Sequence, residues 1–167
     1  MVGKIPCVSV AFVSKDGNVL LFHTVGGDCD AATPFDYQTA FWKGMDQLDE
    51  SLGLQHRPVD AFLGLLSPVL AASGQYHMYG YAPCSGLRIF LMTTMDHAFN
   101  RPGTDKSILL NEVRSIFQKL HTDFARSQCT LPTAFGDVHR YKNLRRQLDL
   151  IMARDTDSRP SLTSLAS

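Results

Sequence analysis

At 167 residues and 44% hydrophobic content, the chain has the length of one ordinary domain and enough apolar side chains for a single buried core. Sixteen basic residues balance sixteen acidic ones. The electrostatic footprint of a protein that binds nucleic acid or anionic membrane through its bulk charge is therefore missing, and partners are expected to be recognised by shape and local patches.

The opening MVGKIPCVSVAF carries one Lys before its apolar run and no small-residue cleavage site, and no later apolar stretch reaches the roughly 20 residues that span a bilayer. A soluble, unprocessed chain is expected. Cys7, Cys29, Cys84 and Cys129 stand far apart with no CxxC pair, which argues against zinc and against a disulfide framework and suits a reducing, cytosolic compartment.

Val8–Val13 and Val19–Phe22 are short, apolar and β-branched, and the Asp16-Gly17 pair between them favours a tight hairpin turn. After a Gly-, Asp- and Ala-rich loop, Thr33-Pro34 supplies a capping side chain followed by a proline suited to the first position of a helix. Phe41, Met45, Leu48 and Leu52 then form one apolar stripe, and Gly53 with Pro58 predicts the stop, with the helix running to about Ser51. Three strand-like runs follow, Phe62–Leu66, Gln75–Tyr81 and Leu87–Thr93, separated by turn segments, and read as a meander.

From Thr104 the period lengthens, and Leu109, Leu110, Val113, Ile116, Phe117, Leu120 and Phe124 mark the apolar face of a long helix. Burying that face contributes on the order of 10–20 kcal/mol before entropy, an upper bound. A weaker pattern, Tyr141, Leu144, Leu148, Ile151 and Met152, predicts a last helix, and the polar, Ser-rich stretch from Arg154 to Ser167 is expected to be disordered. One domain over residues 1–153 with a tail over 154–167 is the resulting organisation. Several strands are apolar almost continuously, which implies helices on both faces of the sheet.

The residues that could carry chemistry do not assemble a motif. His23, His56, His77, His97, His121 and His139 show no H-x-H or H-E-x-x-H spacing. Asp96-His97 and the pair His121 and Asp123 could each imitate part of a triad, but no serine or cysteine in a strand-to-helix elbow accompanies them. Gly26-Gly27 lacks the pattern of a phosphate loop. Cys7 reads as core packing, and Cys129 sits at the wrong end of its helix for an activated thiol. Arg140, Lys142, Arg145 and Arg146 spread around a helix without aromatic interleaving and read as a solvated face. No catalytic residue, cofactor or metal is expected.

The order of elements, ββαβββαα, resembles that of longin-like domains, and several segments resemble the sedlin group of the trafficking protein particle (TRAPP) complexes. They are Phe62-Leu63-Gly64-Leu65-Leu66-Ser67-Pro68, Tyr79-Gly80-Tyr81, the run from Asn111 to His121, and Met45-Asp46-Gln47-Leu48-Asp49-Glu50. The likeness covers residues 5 to about 130; after the long helix the family's Asn-Pro-Phe-Tyr segment survives only as Leu131-Pro132-Thr133-Ala134-Phe135. The resemblance implies an α+β fold, a five-stranded, mainly antiparallel sheet with one helix on one face and two on the other. It also implies a non-catalytic scaffold subunit of a vesicle-tethering complex, with other TRAPP subunits as partners, a Rab GTPase reached only through the complex, and peripheral association with ER–Golgi and Golgi membranes. Neither nucleic acid nor a membrane span is part of that expectation.

Three other readings compete. A longin-type SNARE requires a coiled coil and an anchor after the domain, for which the chain has no room; the small chain of a clathrin adaptor shares the architecture without the quoted segments; and a small cytosolic enzyme would need a His or Cys site among convergent polar groups. On the first helix, a turn of roughly 100° per residue brings Trp42, Asp46 and Asp49 together on one flank. Either Trp42 closes the edge of the core while the acids sit in water, or the three form part of a partner-binding surface, since interface hot spots favour Trp.

Overall fold

The structure is a computed structural model and describes residues 7–24, 34–54, 60–71, 74–94, 106–129 and 141–153. In chain order these form β1 (Cys7–Val13), β2 (Val19–Thr24), α1 (Pro34–Leu54), β3 (Phe62–Ala71), β4 (Gly74–Tyr81), β5 (Arg88–Thr94), α2 (Lys106–Cys129) and α3 (Lys142–Ala153). The predicted cap at Thr33, the Gly26-Gly27 loop, Asp96-His97 and the tail from Arg154 lie outside the described residues.

The strands make one five-stranded antiparallel sheet in the order β2-β1-β5-β4-β3. This is an α+β fold with the strand order of a longin-like sheet. The first hairpin takes one edge, the meander of β3, β4 and β5 fills the rest, and β1 and β5 close the seam through antiparallel pairing. In the first turn the Ser14 N–H donates to the Asn18 carbonyl at 2.8 Å, and Gly17 takes a φ of +82°, a left-handed conformation that only a residue without a Cβ adopts at little cost.

Alternation along the strands sorts the side chains into two cores. Val10 and Phe12 of β1, Tyr79 and Tyr81 of β4 and Ile89 and Leu91 of β5 join Val113, Phe117 and Leu120 of α2 and Leu144 and Leu148 of α3. On the other face Ala11 and Val13, Met78, and Phe90 and Met92 pack with Phe41, Met45 and Leu48 of α1. Both faces are thus covered, by one helix and by two, which is why β1 is buried along its whole length. A register shift between Cys7 and Ser9 turns the start of β1 by one residue, so Cys7 and Val8 break the alternation that holds from Val10 onward.

Helix α1 connects the two opposite edges of the sheet and therefore crosses it. Its first half meets the β2 side, where the Phe41 ring lies 5.6 Å from that of Phe22 and 5.3 Å from that of Phe90. Its second half reaches the β3 side, where Leu48 and Leu66 both close over Gly80.

Three expectations need correction. Helix α1 does not stop near Ser51 but continues through Gly53 to Leu54. Strand β3 does not stop at Leu66 but continues through Ser67 and Pro68 to Ala71. Pro68 reads as a stop in an interior strand, but β3 is an edge, where a missing N–H is tolerated, and register shifts after Phe62 and Leu65 take up the irregularity. Leu110, assigned to the buried face of α2, is exposed, while its neighbour Leu109 faces the core. The turn angle between adjacent residues lets only one of such a pair point at the sheet.

Candidate interaction surface

The aromatic chain that begins at Phe22 and Phe41 continues outward to Trp42, whose ring centroid is 5.4 Å from that of Phe41. Trp42 itself is 53% exposed. It therefore leans on the core without closing it, and much of a large, stiff apolar ring faces solvent. One helical turn on, Asp46 is exposed, and one turn further the Asp49 carboxylate pairs with the Arg88 guanidinium at the start of β5. The three predicted residues thus share the outer flank of α1, with Glu50 exposed beside them. Because Asp49 is held by Arg88, the carboxylates of this flank with no ion pair among the described residues are Asp46 and Glu50.

The Asp49–Arg88 pair has a further consequence. Arg88 lies opposite Val13 of β1, so the Trp42 flank faces the β1–β2 side of the sheet, while Gly44 on the other side of the helix sits against Met78 of β4. Sequence reading missed Arg88, because nothing in a strand residue 39 positions away signals a partner for Asp49.

Among the described residues the histidines and cysteines do not converge on one site. His23 pairs with Asp149 of α3, His121 stands 5.7 Å from the Tyr81 ring, and His77 is buried against Tyr79. His56, His97 and His139 lie outside the described residues. Burial lowers the His77 pKa below its ordinary 6.5, and burial pushes the Tyr79 hydroxyl up to about 12, so both side chains stay neutral near pH 7. Cys7 and His77 both stand opposite Thr93, one on each neighbouring strand. At about 4.8 Å per strand they are roughly 10 Å apart, beyond the reach of a thiol–imidazole dyad.

Asp123 approaches Arg126 at 3.9 Å, not His121. Cys84 and Cys129 are exposed and Cys7 is buried in the core, as expected for Cys7. Among the described residues no group of three or more His, Cys, Asp or Glu side chains could hold a metal, and no helix is long and apolar enough to cross a membrane.

No family model matches the chain, and no curated protein matches it.

Proposed function

We propose that the protein is a non-catalytic scaffold or adaptor subunit of a TRAPP vesicle-tethering complex, supporting Rab GTPase activation in ER–Golgi and Golgi transport. The observation that carries this reading is the outer flank of α1, where a half-exposed tryptophan is anchored on the core through Phe41 and bordered by acidic side chains. An exposed Trp on a rigid helix is the usual form of an interface anchor. The segments that resemble the sedlin group support it from the other side: they lie on β3, β4, α1 and the middle of α2 of a longin-like sheet. Other subunits of the complex are the partners, and the Rab is met only through the assembly.

The test uses the full chain in cells, with its co-purified proteins identified by mass spectrometry. Asp46→Tyr is expected to leave the melting curve within about 0.5 kcal/mol of the parent, because the site is exposed and away from caps and core. It is expected to lose tethering subunits that the parent retains. Retention of the same subunits by the variant would remove the α1 flank as the binding surface, and the absence of tethering subunits from the parent's own partners would remove the tethering function. Nucleotide exchange on a Rab by the purified subunit alone would contradict the non-catalytic role.

A further inference from the structure

Among the described residues, the helices on the two faces of the sheet differ in charge. Helices α2 and α3, which cover one face, carry seven Lys and Arg residues against three Asp and Glu, a net of four positive charges. Helix α1, alone on the opposite face, carries one Lys against four acids. On the two-helix face the cations are all exposed; Arg114 pairs with the exposed Asp60 at 2.7 Å and Arg126 approaches the half-buried Asp123 at 3.9 Å. Glu112 is half-buried, and Asp149, itself 67% exposed, pairs with His23 at 2.8 Å, which leaves Lys106, Lys119, Lys142, Arg145 and Arg146 outside these ion pairs.

The exposed cations do not stand alone. At about 100° per residue, Ile108, Lys119 and Arg126 fall on one stripe of α2. On α3, Lys142, Arg145 and Arg146 share the outer side with Leu150, which is 53% exposed. Exposed aliphatic side chains set among Lys and Arg on helices lying along a protein surface suit the boundary between lipid headgroups and acyl chains, where the cations meet anionic lipid and the apolar tips enter the interface.

We infer that the α2–α3 face docks directly on an anionic bilayer surface, while the acidic α1 face points away from it. This goes beyond the tethering reading, in which membrane contact comes only through the complex, and it does not depend on that reading. A zero net charge does not oppose it, because attraction to a charged surface decays within a Debye length of about 8 Å, less than the thickness of the domain. The near face therefore dominates.

Flotation of the purified full chain with vesicles of phosphatidylcholine and phosphatidylserine tests it. Binding is expected to rise with phosphatidylserine content and to fall steeply with added salt. The double variant Arg145→Glu, Arg146→Glu is expected to bind more than about tenfold more weakly, given roughly fivefold for each cation near the surface. Leu150→Ser is expected to weaken binding by a smaller factor, and Lys43→Glu, which reverses the same kind of charge on the opposite face, to leave it unchanged. Circular dichroism melts check that each variant is folded. Failure of the parent to float with phosphatidylserine vesicles at low salt would overturn the inference, as would equal binding by the double variant. A loss from Lys43→Glu equal, per charge reversed, to that of the double variant would show that bulk charge, not this face, is read. Salt-sensitive self-association in sedimentation without flotation would assign the face to the acidic α1 surface of a second copy instead.

Discussion

The His23 side chain on edge strand β2 and the Asp149 side chain on α3 meet at 2.8 Å across 126 positions of sequence. A carboxylate accepts, so His23 Nε2 carries the hydrogen and donates it. The contact ties the last helix to the outermost strand of the hairpin that opens the fold. Asp149 is 67% exposed, so the bond is worth little to global stability. Asp149→Ala is expected to cost less than about 1 kcal/mol in urea unfolding. Hydrogen exchange is expected to quicken in α3 and not in β5; equal acceleration in both would show that α3 does not open separately.

Gly44 packs α1 tightly against the sheet, since a Cβ there would run into the Met78 side chain. Met78 is itself fully buried between neighbours and has little room to yield. Gly44→Val is expected to destabilise by about 1–3 kcal/mol through overpacking, read as a lower urea midpoint. An unchanged midpoint would mean that Met78 swings aside freely.

Phe117 is the centre of the larger core. It is fully buried, stacked on Tyr81 at 5.4 Å and tilted against Phe62 at 5.9 Å. Phe117→Ala is expected to cost about 3–5 kcal/mol, a loss that a domain of this size survives only with a much reduced melting temperature. Ile108→Ala on the same helix, at an exposed position, is expected to change it by no more than about 0.5 kcal/mol, and an equal loss at the two sites would contradict the packing described.

His77 gives a pH dependence with a definite sign. Its folded pKa lies below 6.5 because burial penalises the imidazolium, so as pH falls the unfolded chain takes up the proton first. The stability associated with a neutral His77 is complete above pH 6.5 and is lost as pH falls toward the folded pKa. The parent is therefore expected to lose stability on going from pH 7 to pH 5.5, and His77→Gln to lose less over the same interval. Parallel curves for the two would remove His77 as the source.

Much of this architecture can be read from local pattern. The 3.6-residue period of Val113, Phe117, Leu120 and Phe124 can belong only to a helix with one wet side, and the structure buries all four. The continuous apolarity of β1 requires two covered faces, and two separate cores are present. Where local pattern misled, at the end of β3 and at Leu110, the outcome depended on a neighbour: whether β3 is an edge that tolerates Pro68, and which of two adjacent leucines the sheet meets. The candidate surface divides the same way. The shared flank of Trp42, Asp46 and Asp49 follows from helical geometry, whereas the exposure of Trp42 and the neutralisation of Asp49 by Arg88 do not.

The amino-acid sequence by itself determined which segments become strands and helices, which side of each is apolar, and that the charges cancel, because these are properties of spacing and composition. Only the tertiary structure decided where the charges lie. A helix's charge reaches a surface according to the face of the sheet on which the helix packs, and here α1 goes to one face and α2 with α3 to the other. Among the described helices, the one on one face carries more acids than bases and the two on the opposite face more bases than acids, since packing assigns whole helices, with all the charges they carry, to opposite faces of one sheet.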